Sequence, residues 1–247
     1  MWYNWYVMEI HGLNKTTLLD YPEHVACTVF TGHCNMRCPY CQNADLVLYP
    51  GSQPVLDEEE FFAFLKKRAF SLEGVCITGG EPTLQKDLKD FIKKIKERSL
   101  NVKLDTNGTN PALLKELIDE KLIDYAAIDI KSSKENYGKC MGIENYDTSA
   151  VEESVSILIN GDLPYEFRTT VVKELMGRED FVSIGNWLKG AKQYFLQSYE
   201  ESERILYKVA NNIDESETVF HAYSKDELQD FADMLTGMGI NTKVRGI

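Results

Sequence analysis

Short apolar runs that favour β-strands alternate along the chain with segments whose apolar residues recur at helical spacing. Strands are predicted at residues 25–30, 75–78, 101–105, 125–130, 165–172 and 193–199, with a closing strand at 242–245. Helices are predicted at 57–70, after a cap at Thr83, after Asn110-Pro111, at 148–160 and 180–191, and after the capping box of Ser224 and Glu227. Strands that alternate with helices indicate an α/β fold with a parallel sheet, and six such units favour a partial (β/α)6 barrel over a closed eightfold one.

The ends of this pattern are less regular. Residues 1–24 are aromatic-rich and then polar, and they end in Asp20-Tyr21-Pro22, which favours a short edge strand and a turn. The polar stretch through Asn211-Asn212 is predicted to be irregular. No repeat, linker or low-complexity segment divides the 247 residues. The sequence therefore predicts a single domain, with residues 1–24 as an N-terminal extension and 25–247 as the partial barrel.

Three thiols lie in one short polar loop that follows the first predicted barrel strand. Cys34, Cys38 and Cys41 have the spacing CxxxCxxC. Three thiolates so close together indicate metal ligands, and three rather than four suggest a coordination shell with one open position, as on an iron able to bind substrate. The alternatives are a zinc site whose fourth ligand comes from elsewhere, for example His33, and three unrelated thiols.

Polar motifs follow the next three predicted strands as well. Gly79-Gly80-Glu81-Pro82 ends the second strand, Asp105 to Gly108 ends the third, and Asp129 with Lys131 ends the fourth. Because ligands bind at the carboxyl ends of the strands in α/β barrels, these motifs are predicted to share one rim with the cysteine loop. Asp105 alone could instead form an Asx-turn, and Asp129 could form an ordinary ion pair with Lys131.

Arg168 is a charged residue within the fifth predicted strand, between apolar neighbours. A charge placed there is unfavourable unless an anion meets it, either on a ligand or on an acidic neighbour in the protein. Cys27 and Cys76 lie in strands and are predicted to be small buried packing residues, whereas Cys140 is predicted to be a thiol in a glycine-flanked loop.

Composition excludes several classes of function. The formal net charge of -12 argues against a nucleic-acid binder, which needs clustered Lys and Arg. No stretch reaches the ~18 apolar residues of a membrane span, and the start lacks the basic region of a signal peptide. Six cysteines in 247 residues fit a reducing compartment better than a disulfide framework. We therefore expect a cytoplasmic protein with neither nucleic acid nor membrane as a partner.

Taken together, these motifs resemble those of the radical S-adenosylmethionine (SAM) enzymes. Within that superfamily the chain is most similar to the activating proteins of anaerobic ribonucleoside-triphosphate reductase, relatives of the pyruvate formate-lyase activating enzymes. The matching segments are KTTLLDYP at 15–22, the cysteine loop with Gln42-Asn43, GGEP at 79–82, DTNG at 105–108, DIK at 129–131 and RTT at 168–170. His33 is a departure, since such proteins usually carry glycine before the first cysteine.

The resemblance implies cofactors and their ligands. Cys34, Cys38 and Cys41 would ligate three irons of a [4Fe–4S] cluster, and the open iron would hold the methionine end of SAM. The amino end of SAM would be bound by Gly79, Gly80, Glu81 and Pro82, its adenine would pack on Tyr40, and its carboxylate would be bound by Arg168. The ribose and the carboxylate would be contacted by Asp129 and Lys131. A monovalent cation would be held by Asp105, Thr106 and Asp129.

The resemblance also implies a reaction and partners. The chain would cleave SAM reductively and generate a glycyl radical on a partner enzyme, with KTTLLDYP favouring anaerobic ribonucleotide reductase as that partner. A flavodoxin or ferredoxin would supply electrons, docking near a basic helix surface formed by Lys86, Lys89, Lys93, Lys94, Lys96 and Arg98. Two alternatives remain. One is a radical SAM enzyme acting on a small molecule, like the 7-carboxy-7-deazaguanine synthases, and the other is an iron–sulfur or zinc protein without enzymatic activity.

Overall fold

The strands lie where the apolar runs predict them. The computed structural model describes residues 8–246, so the part of the predicted N-terminal extension before residue 8 lies outside the described residues. The strands are β1 (Ile10–Thr17), β2 (Ala26–Thr31), β3 (Gly74–Gly79), β4 (Asn101–Thr106), β5 (Tyr125–Asp129), β6 (Tyr165–Val171), β7 (Tyr194–Ser198) and β8 (Thr242–Arg245). They form one eight-stranded sheet whose order follows the chain from β1 to β8.

The pairing of the strands confirms a mostly parallel sheet. β1 pairs antiparallel with β2 and is the first strand of the sheet order, which confirms an edge strand, although with eight residues it is not the short strand predicted. β2 with β3, β3 with β4, β6 with β7 and β7 with β8 are all parallel pairs. Parallel neighbours need crossover connections, and helices supply them here.

α-Helices follow each strand from β2 to β7. They are α1 (Ala44–Leu48), α2 (Glu58–Lys67), α3 (Leu88–Lys96), α4 (Pro111–Asp119), α5 (Tyr137–Met141), α6 (Ser149–Asn160), α7 (Arg178–Trp187), α8 (Leu206–Asn211) and α9 (Lys225–Gly237). The capping box predicted for α9 is present, because Ser224 accepts a hydrogen bond from Glu227 N–H and the Glu227 carboxylate accepts one from Ser224 N–H. Among residues 8–246, no helix has the length and apolarity to cross a membrane.

The sequence prediction is wrong for the start of α3 and for three short helices. Thr83 does not cap an α-helix: it lies in a 3-10 turn, Pro82–Leu84, and α3 begins only at Leu88. The stretch through Asn211-Asn212 is not wholly irregular, since α8 forms there, and α1 and α5 were not predicted either. Helices of five or six residues are too short to be stable by propensity, so tertiary packing must form them.

The chain divides into two compact units. The first contains the described residues up to Asn35, Asp45–Thr106 and Ala112–Ala126. Its core lies between β2, β3 and β4 and the apolar faces of α2 and α3, with Phe61 and Phe91 fully buried and their ring centroids 5.3 Å apart. Cys27 and Cys76 are buried packing residues in this core, as predicted.

The second unit contains Met36–Ala44, Asn107–Pro111 and the described residues from Ala127 onward. Its core includes Phe181 on α7 and Phe231 on α9, whose rings stack with centroids 4.4 Å apart. Cys140 lies in this unit, buried in α5 rather than in the predicted loop, and its thiol donates a hydrogen bond to the Leu175 carbonyl at 3.6 Å. The prediction of a loop was wrong because it relied on the flanking glycines alone, whereas the predicted free thiol is confirmed.

Candidate cofactor site

In the first unit, the backbone before the first cysteine is held in a left-handed conformation. His33 has φ of 64°, a conformation that glycine adopts most easily. Its N–H donates a hydrogen bond to the Leu46 carbonyl at 2.9 Å, and its carbonyl accepts one from Glu81 N–H at 2.7 Å. The departure from glycine at this position therefore leaves the glycine-like backbone shape in place just before Cys34.

The glycine pair after β3 packs directly against this segment. Gly80 N–H donates to the Thr31 carbonyl at 2.8 Å. A Cβ added at Gly80 would overlap the His33 carbonyl group and lie 2.7 Å from its carbon, and Gly79 has φ of +113°. The sequence motif suggests that glycines are needed here so that the backbone can approach bound SAM closely. The structure gives a further reason within the protein, because a larger residue at these positions would leave no room for the backbone before Cys34.

Glu81, for which the sequence suggests no separate role, is a buried anchor between strand ends. It is 1% exposed, and its Oε1 accepts hydrogen bonds from Thr83 N–H at 3.1 Å, the Thr83 hydroxyl at 2.6 Å and the Thr106 hydroxyl at 2.7 Å. It therefore ties the loop after β3 to the end of β4. The loops that follow β2 and β3 are thus brought together with the end of β4 in this unit.

Asp105 is engaged by a lysine that the sequence analysis did not identify. Lys103 Nζ lies 2.7 Å from Asp105 Oδ1, and both residues are buried. An ammonium group therefore already balances the carboxylate for which the resemblance implies a monovalent cation. The hydroxyl of Thr106, another implied cation ligand, is bonded to Glu81. Alternation along β4 places Lys103 and Asp105 on one face, but a lysine within a strand gives no sequence signal of burial.

In the second unit, the remainder of the cysteine loop is clamped by two of the unpredicted helices. Arg37 N–H donates to the Met141 carbonyl at 2.8 Å at the end of α5. At the start of α8, Leu206 N–H donates to the Cys41 carbonyl at 2.8 Å, and Tyr207 N–H donates to the Pro39 carbonyl at 2.9 Å. These backbone bonds fix the two later cysteines of the motif independently of any side chain.

Cys38 and Tyr40 are the buried side chains of this loop. Burial raises the pKa of the Cys38 thiol to about 11, although the nearby ammonium of Lys131 acts in the opposite direction. Burial also raises the pKa of the Tyr40 phenol well above its ordinary value. The Tyr40 hydroxyl is buried and has no hydrogen-bond partner within residues 8–246. A buried hydroxyl normally bonds to something, so this one suits a ligand or a water molecule.

Asp129, Lys131 and Arg168 come together as predicted. Arg168 donates to Asp129 Oδ1 from Nε at 2.9 Å, and its Nη2 lies 2.8 Å from the same oxygen. Lys131 Nζ donates to Asp129 Oδ2 at 3.2 Å. Burial raises the pKa of the Asp129 carboxyl, but the two cations lower it more, so the net pKa is well below the ordinary value. Burial lowers the pKa of Lys131, and Asp129 more than reverses this. The alternative of Arg168 paired with an acidic neighbour is therefore realised, beside cations suited to an anionic ligand.

The basic surface of α3 is mostly balanced by acidic neighbours in the first unit. Lys89 contacts Glu116 and Glu120, Lys93 contacts Asp90, Lys94 contacts Glu58 and Lys96 contacts Asp124. Paired lysines present little net positive charge to an acidic protein. The docking position predicted for a flavodoxin or ferredoxin therefore gains no support from this helix.

The residues fit the cofactors that the resemblance implies. Cys38 is buried, Cys34 and Cys41 are half-buried, and backbone bonds hold the loop around them. The unpartnered Tyr40 hydroxyl and the cations of Lys131 and Arg168 suit an adenosyl compound that carries a carboxylate. In the described part of the chain, no three His, Cys, Asp or Glu side chains could share one metal ion. The thiolates of a cubane cluster each bind a separate iron, so a cluster does not need that arrangement.

Comparison with known proteins agrees with the motifs. The profile of the Radical SAM superfamily matches residues 28–184. A protein of Methanocaldococcus jannaschii assigned as a glycyl-radical enzyme activating enzyme is 33% identical over 198 residues, which cover 78% of this chain and 81% of that protein. A GTP 3′,8-cyclase of Campylobacter jejuni is 30% identical over 165 residues, covering 66% of this chain and 51% of the cyclase.

A solved structure supports the fold. The crystal structure of a radical SAM methyltransferase from Sphaerobacter thermophilus matches with a TM-score of 0.68 and 14% identity, covering 91% of this chain and 67% of the methyltransferase. This likeness confirms the predicted α/β fold class of partial-barrel type. The superfamily's cofactors are a [4Fe–4S] cluster and SAM. With the three-cysteine loop and the profile match to well over half its length, the chain belongs to the Radical SAM superfamily.

Proposed function

We propose that this chain is an activating enzyme that generates a glycyl radical on a partner protein. The observation that carries the proposal is the 33% identity to an assigned glycyl-radical enzyme activating enzyme over 81% of that protein's length. When bound, the reduced [4Fe–4S] cluster supplies the electron that cleaves SAM into methionine and a 5′-deoxyadenosyl radical, which removes a hydrogen atom from a glycine of the partner. The protein's task is to hold SAM and to exclude water.

The cluster ligands in this proposal are Cys34, Cys38 and Cys41. The backbone bonds described above support it, because they hold Pro39 and Cys41 from α8 and fix the segment before Cys34 from the loop after β3. The buried thiol of Cys38 would lose its proton on binding iron, since only thiolates are ligands. Cys27, Cys76 and Cys140 have packing roles and are not ligands.

The same proposal assigns the SAM contacts. The loop Gly79–Pro82 binds the amino end, Tyr40 packs on adenine with its buried hydroxyl available to a partner, and Arg168 receives the carboxylate. Asp129 and Lys131 contact the ribose and the carboxylate. Support for the carboxylate site comes from Lys131 and Arg168, whose cationic groups flank Asp129 and can donate to an anion.

Three finer assignments complete the proposal. The partner is anaerobic ribonucleoside-triphosphate reductase, which the KTTLLDYP segment at 15–22 favours by resemblance. A flavodoxin or ferredoxin donates the electron. The enzyme works in the cytoplasm, in keeping with six cysteines that are all thiols in the structure.

The test is to incubate the dithionite-reduced, cluster-loaded protein and SAM with the anaerobic reductase from the same source, and to record the electron paramagnetic resonance spectrum. A glycyl radical on the reductase that requires SAM is the expected result. Cys38→Ser should abolish it, and Cys27→Ala, a substitution of a buried cysteine outside the loop, should keep it. SAM cleavage without any glycyl radical on the reductase would contradict the assigned partner.

A small-molecule substrate is the second candidate, and the likeness to the GTP 3′,8-cyclase favours it. That likeness covers only 51% of the cyclase, so nearly half of that enzyme lies outside the match. Incubation of the same reduced protein with SAM and GTP tests this candidate. Consumption of GTP that depends on SAM, together with an unmodified reductase, would replace the activase proposal.

A further inference from the structure

The second unit contains a buried ammonium group that the proposed cofactor contacts do not use. Lys208 on α8 is 2% exposed. Its Nζ donates hydrogen bonds to the Ser202 carbonyl at 3.1 Å and to the Glu215 carbonyl at 3.1 Å, and it lies 2.5 Å from Glu201 Oε1. An ammonium group has three N–H donors, and three acceptors surround this one. Lysine is almost never fully buried unless its charge is paired, so the burial of Lys208 depends on these acceptors.

The three acceptors come from both sides of α8. Glu201 and Ser202 precede the helix, and Glu215 follows it. Lys208 therefore ties the chain before α8 to the chain after it, and this ammonium with its three acceptors forms the Lys208 clip. α8 has only six residues, a length at which a helix depends on tertiary contacts for its stability. The clip supplies such contacts, beside the buried apolar residues at the start of the helix.

The clip is anchored at the end of β7. The hydroxyl of Tyr199, the residue after the strand, donates a hydrogen bond to Glu201 Oε2. Burial raises the pKa of the Glu201 carboxyl, but the hydrogen bonds from Lys208 and Tyr199 lower it more, so its net pKa is below the ordinary value. Glu201 is therefore a carboxylate at neutral pH, and Lys208 balances its charge. A continuous series of bonded groups thus connects the end of β7 to α8.

α8 in turn holds the cysteine loop through the two residues directly before Lys208. Leu206 N–H donates to the Cys41 carbonyl at 2.8 Å, and Tyr207 N–H donates to the Pro39 carbonyl at 2.9 Å. N–H groups in the first turn of a helix have no acceptor within the helix, so they can bond to the loop. These bonds involve only backbone atoms, but α8, which donates them, is itself held by the side chain of Lys208. The placement of α8 therefore sets where the Cys41 thiol lies.

Removal of the ammonium would loosen this hold on the loop. Without Lys208 Nζ, two backbone carbonyls and the Glu201 carboxylate would lose a donor in a poorly solvated place, and buried bonds left unmade are costly. The chain on both sides of α8 would rearrange to bring these acceptors to water. The N–H donors at the start of α8 would then move away from the carbonyls of Pro39 and Cys41.

We propose that Lys208 is a positioning residue that, through α8, holds Cys41 in place to bind iron. This inference rests on the proposed function, which assigns Cys41 as a cluster ligand. Glu201 and Tyr199 assist by fixing the ammonium group. Lys208 does not need to touch the cluster, because the backbone of α8 transmits its effect to the loop.

The experiment measures how fast the cluster-loaded protein releases iron to a chelator under anaerobic conditions. Lys208→Met keeps the length of the side chain and removes its donors. We expect it to release iron about 10-fold faster than the unmodified protein, because a ligand that is held less firmly leaves iron more readily. The electron paramagnetic resonance spectrum of its reduced cluster should also differ from that of the unmodified protein.

Leu228→Ala is the matched control. Leu228 is fully buried on α9, which packs against α7, β7 and β8 in the same unit, so its truncation opens a cavity and lowers stability in urea unfolding. This control should change neither the rate of iron release nor the spectrum. If it released iron as fast as Lys208→Met, a general loss of stability would explain both variants and the inference would be overturned.

Glu201→Gln keeps the experiment decisive if Lys208→Met does not fold. This variant removes the negative charge of the clip and leaves both carbonyl acceptors of Lys208 in place. Its iron release should be faster than that of the unmodified protein and slower than that of a folded Lys208→Met. An unchanged rate in either variant overturns the inference.

Cys41→Ser separates this inference from the proposed function. If that variant loses the cluster, Cys41 is a ligand, and an unchanged rate in Lys208→Met then overturns only the positioning role. If Cys41→Ser keeps its full iron content and the unmodified rate of iron release, the ligand assignment in the proposed function fails and the positioning role fails with it.

Discussion

Gly80→Ala should disturb the cysteine loop although residue 80 is not one of the cluster ligands. The added Cβ would overlap the His33 carbonyl, which accepts the Glu81 N–H hydrogen bond at 2.7 Å. Real Cβ atoms essentially never approach other atoms closer than 3.0 Å, so one of the two backbones must shift. The colliding atom belongs to the backbone and not to a flexible side chain, and a shift of roughly 1 Å would follow.

The expected loss of stability combines two effects. Overpacking against a backbone group destabilises by roughly 1 to 3 kcal/mol. Loss of the Glu81 N–H bond leaves a poorly solvated donor without its partner, which costs roughly 1 to 2 kcal/mol more. We therefore expect Gly80→Ala to lower the free energy of unfolding by about 2 to 5 kcal/mol, which corresponds to a decrease in Tm of roughly 5 to 15 °C for a chain of this length.

Urea unfolding of the purified protein measures this loss, and iron and sulfide analysis after anaerobic reconstitution measures its effect on the loop. Gly237→Ala is the matched control, because nothing lies within 4 Å of a Cβ at Gly237 and the residue ends a helix. That control should change stability by less than about 1 kcal/mol and keep the full iron content. If Gly80→Ala were as stable as Gly237→Ala, the close contact would not exist in solution and the account of the glycine pair would be refuted.

Three further predictions concern buried charges and thiols. Lys103→Met should destabilise the protein by roughly 3 to 5 kcal/mol in urea unfolding, because it removes the ammonium 2.7 Å from Asp105; a loss below about 1 kcal/mol would contradict this. The pKa of Asp129 lies below its ordinary value, so its carboxylate should stabilise the protein at pH 7 and lose this contribution progressively as the pH falls below about 4. The unfolding free energies of Asp129→Asn and of the unmodified protein should therefore converge in acid. A difference that widens in acid would contradict the stabilising role of the Asp129 carboxylate. After anaerobic reconstitution, iron and sulfide analysis should show that Cys38→Ser loses the iron that Cys27→Ala retains. One tightly bound zinc ion and no sulfide in the unmodified protein would refute the iron–sulfur cluster.

The parts of the fold that the sequence predicts are those that follow from local periodicity. The runs that became β2 to β8 are apolar on a two-residue period or throughout, and α9 carries its capping box in adjacent residues. The start of α3 was misplaced because the Thr83 N–H is bonded to the Glu81 side chain, which bends Pro82–Leu84 into a 3-10 turn. A bond of that kind competes with the helix, and residue types alone do not reveal it.

The candidate site shows the same division. Cys34, Cys38 and Cys41 are recognisable because their spacing lies within eight residues of chain, whereas the partner of Glu166 is chosen by the fold. Glu166 bonds to Arg245, which is 79 residues away, and such a pairing leaves no local pattern. The one usable signal was alternation along β6, which places any charged residue two positions from Arg168 on the same face.

The buried pair of Lys103 and Asp105 limits how this sequence can diverge. A change of either residue alone removes an oppositely charged neighbour from a buried charge, whereas the replacement of both by apolar residues of similar volume can be neutral. Two neutral endpoints are therefore separated by a deleterious single-substitution intermediate, and lineages should cross between them rarely and in paired steps. Related chains are accordingly expected to carry a basic residue at 103 together with an acidic residue at 105, or neither.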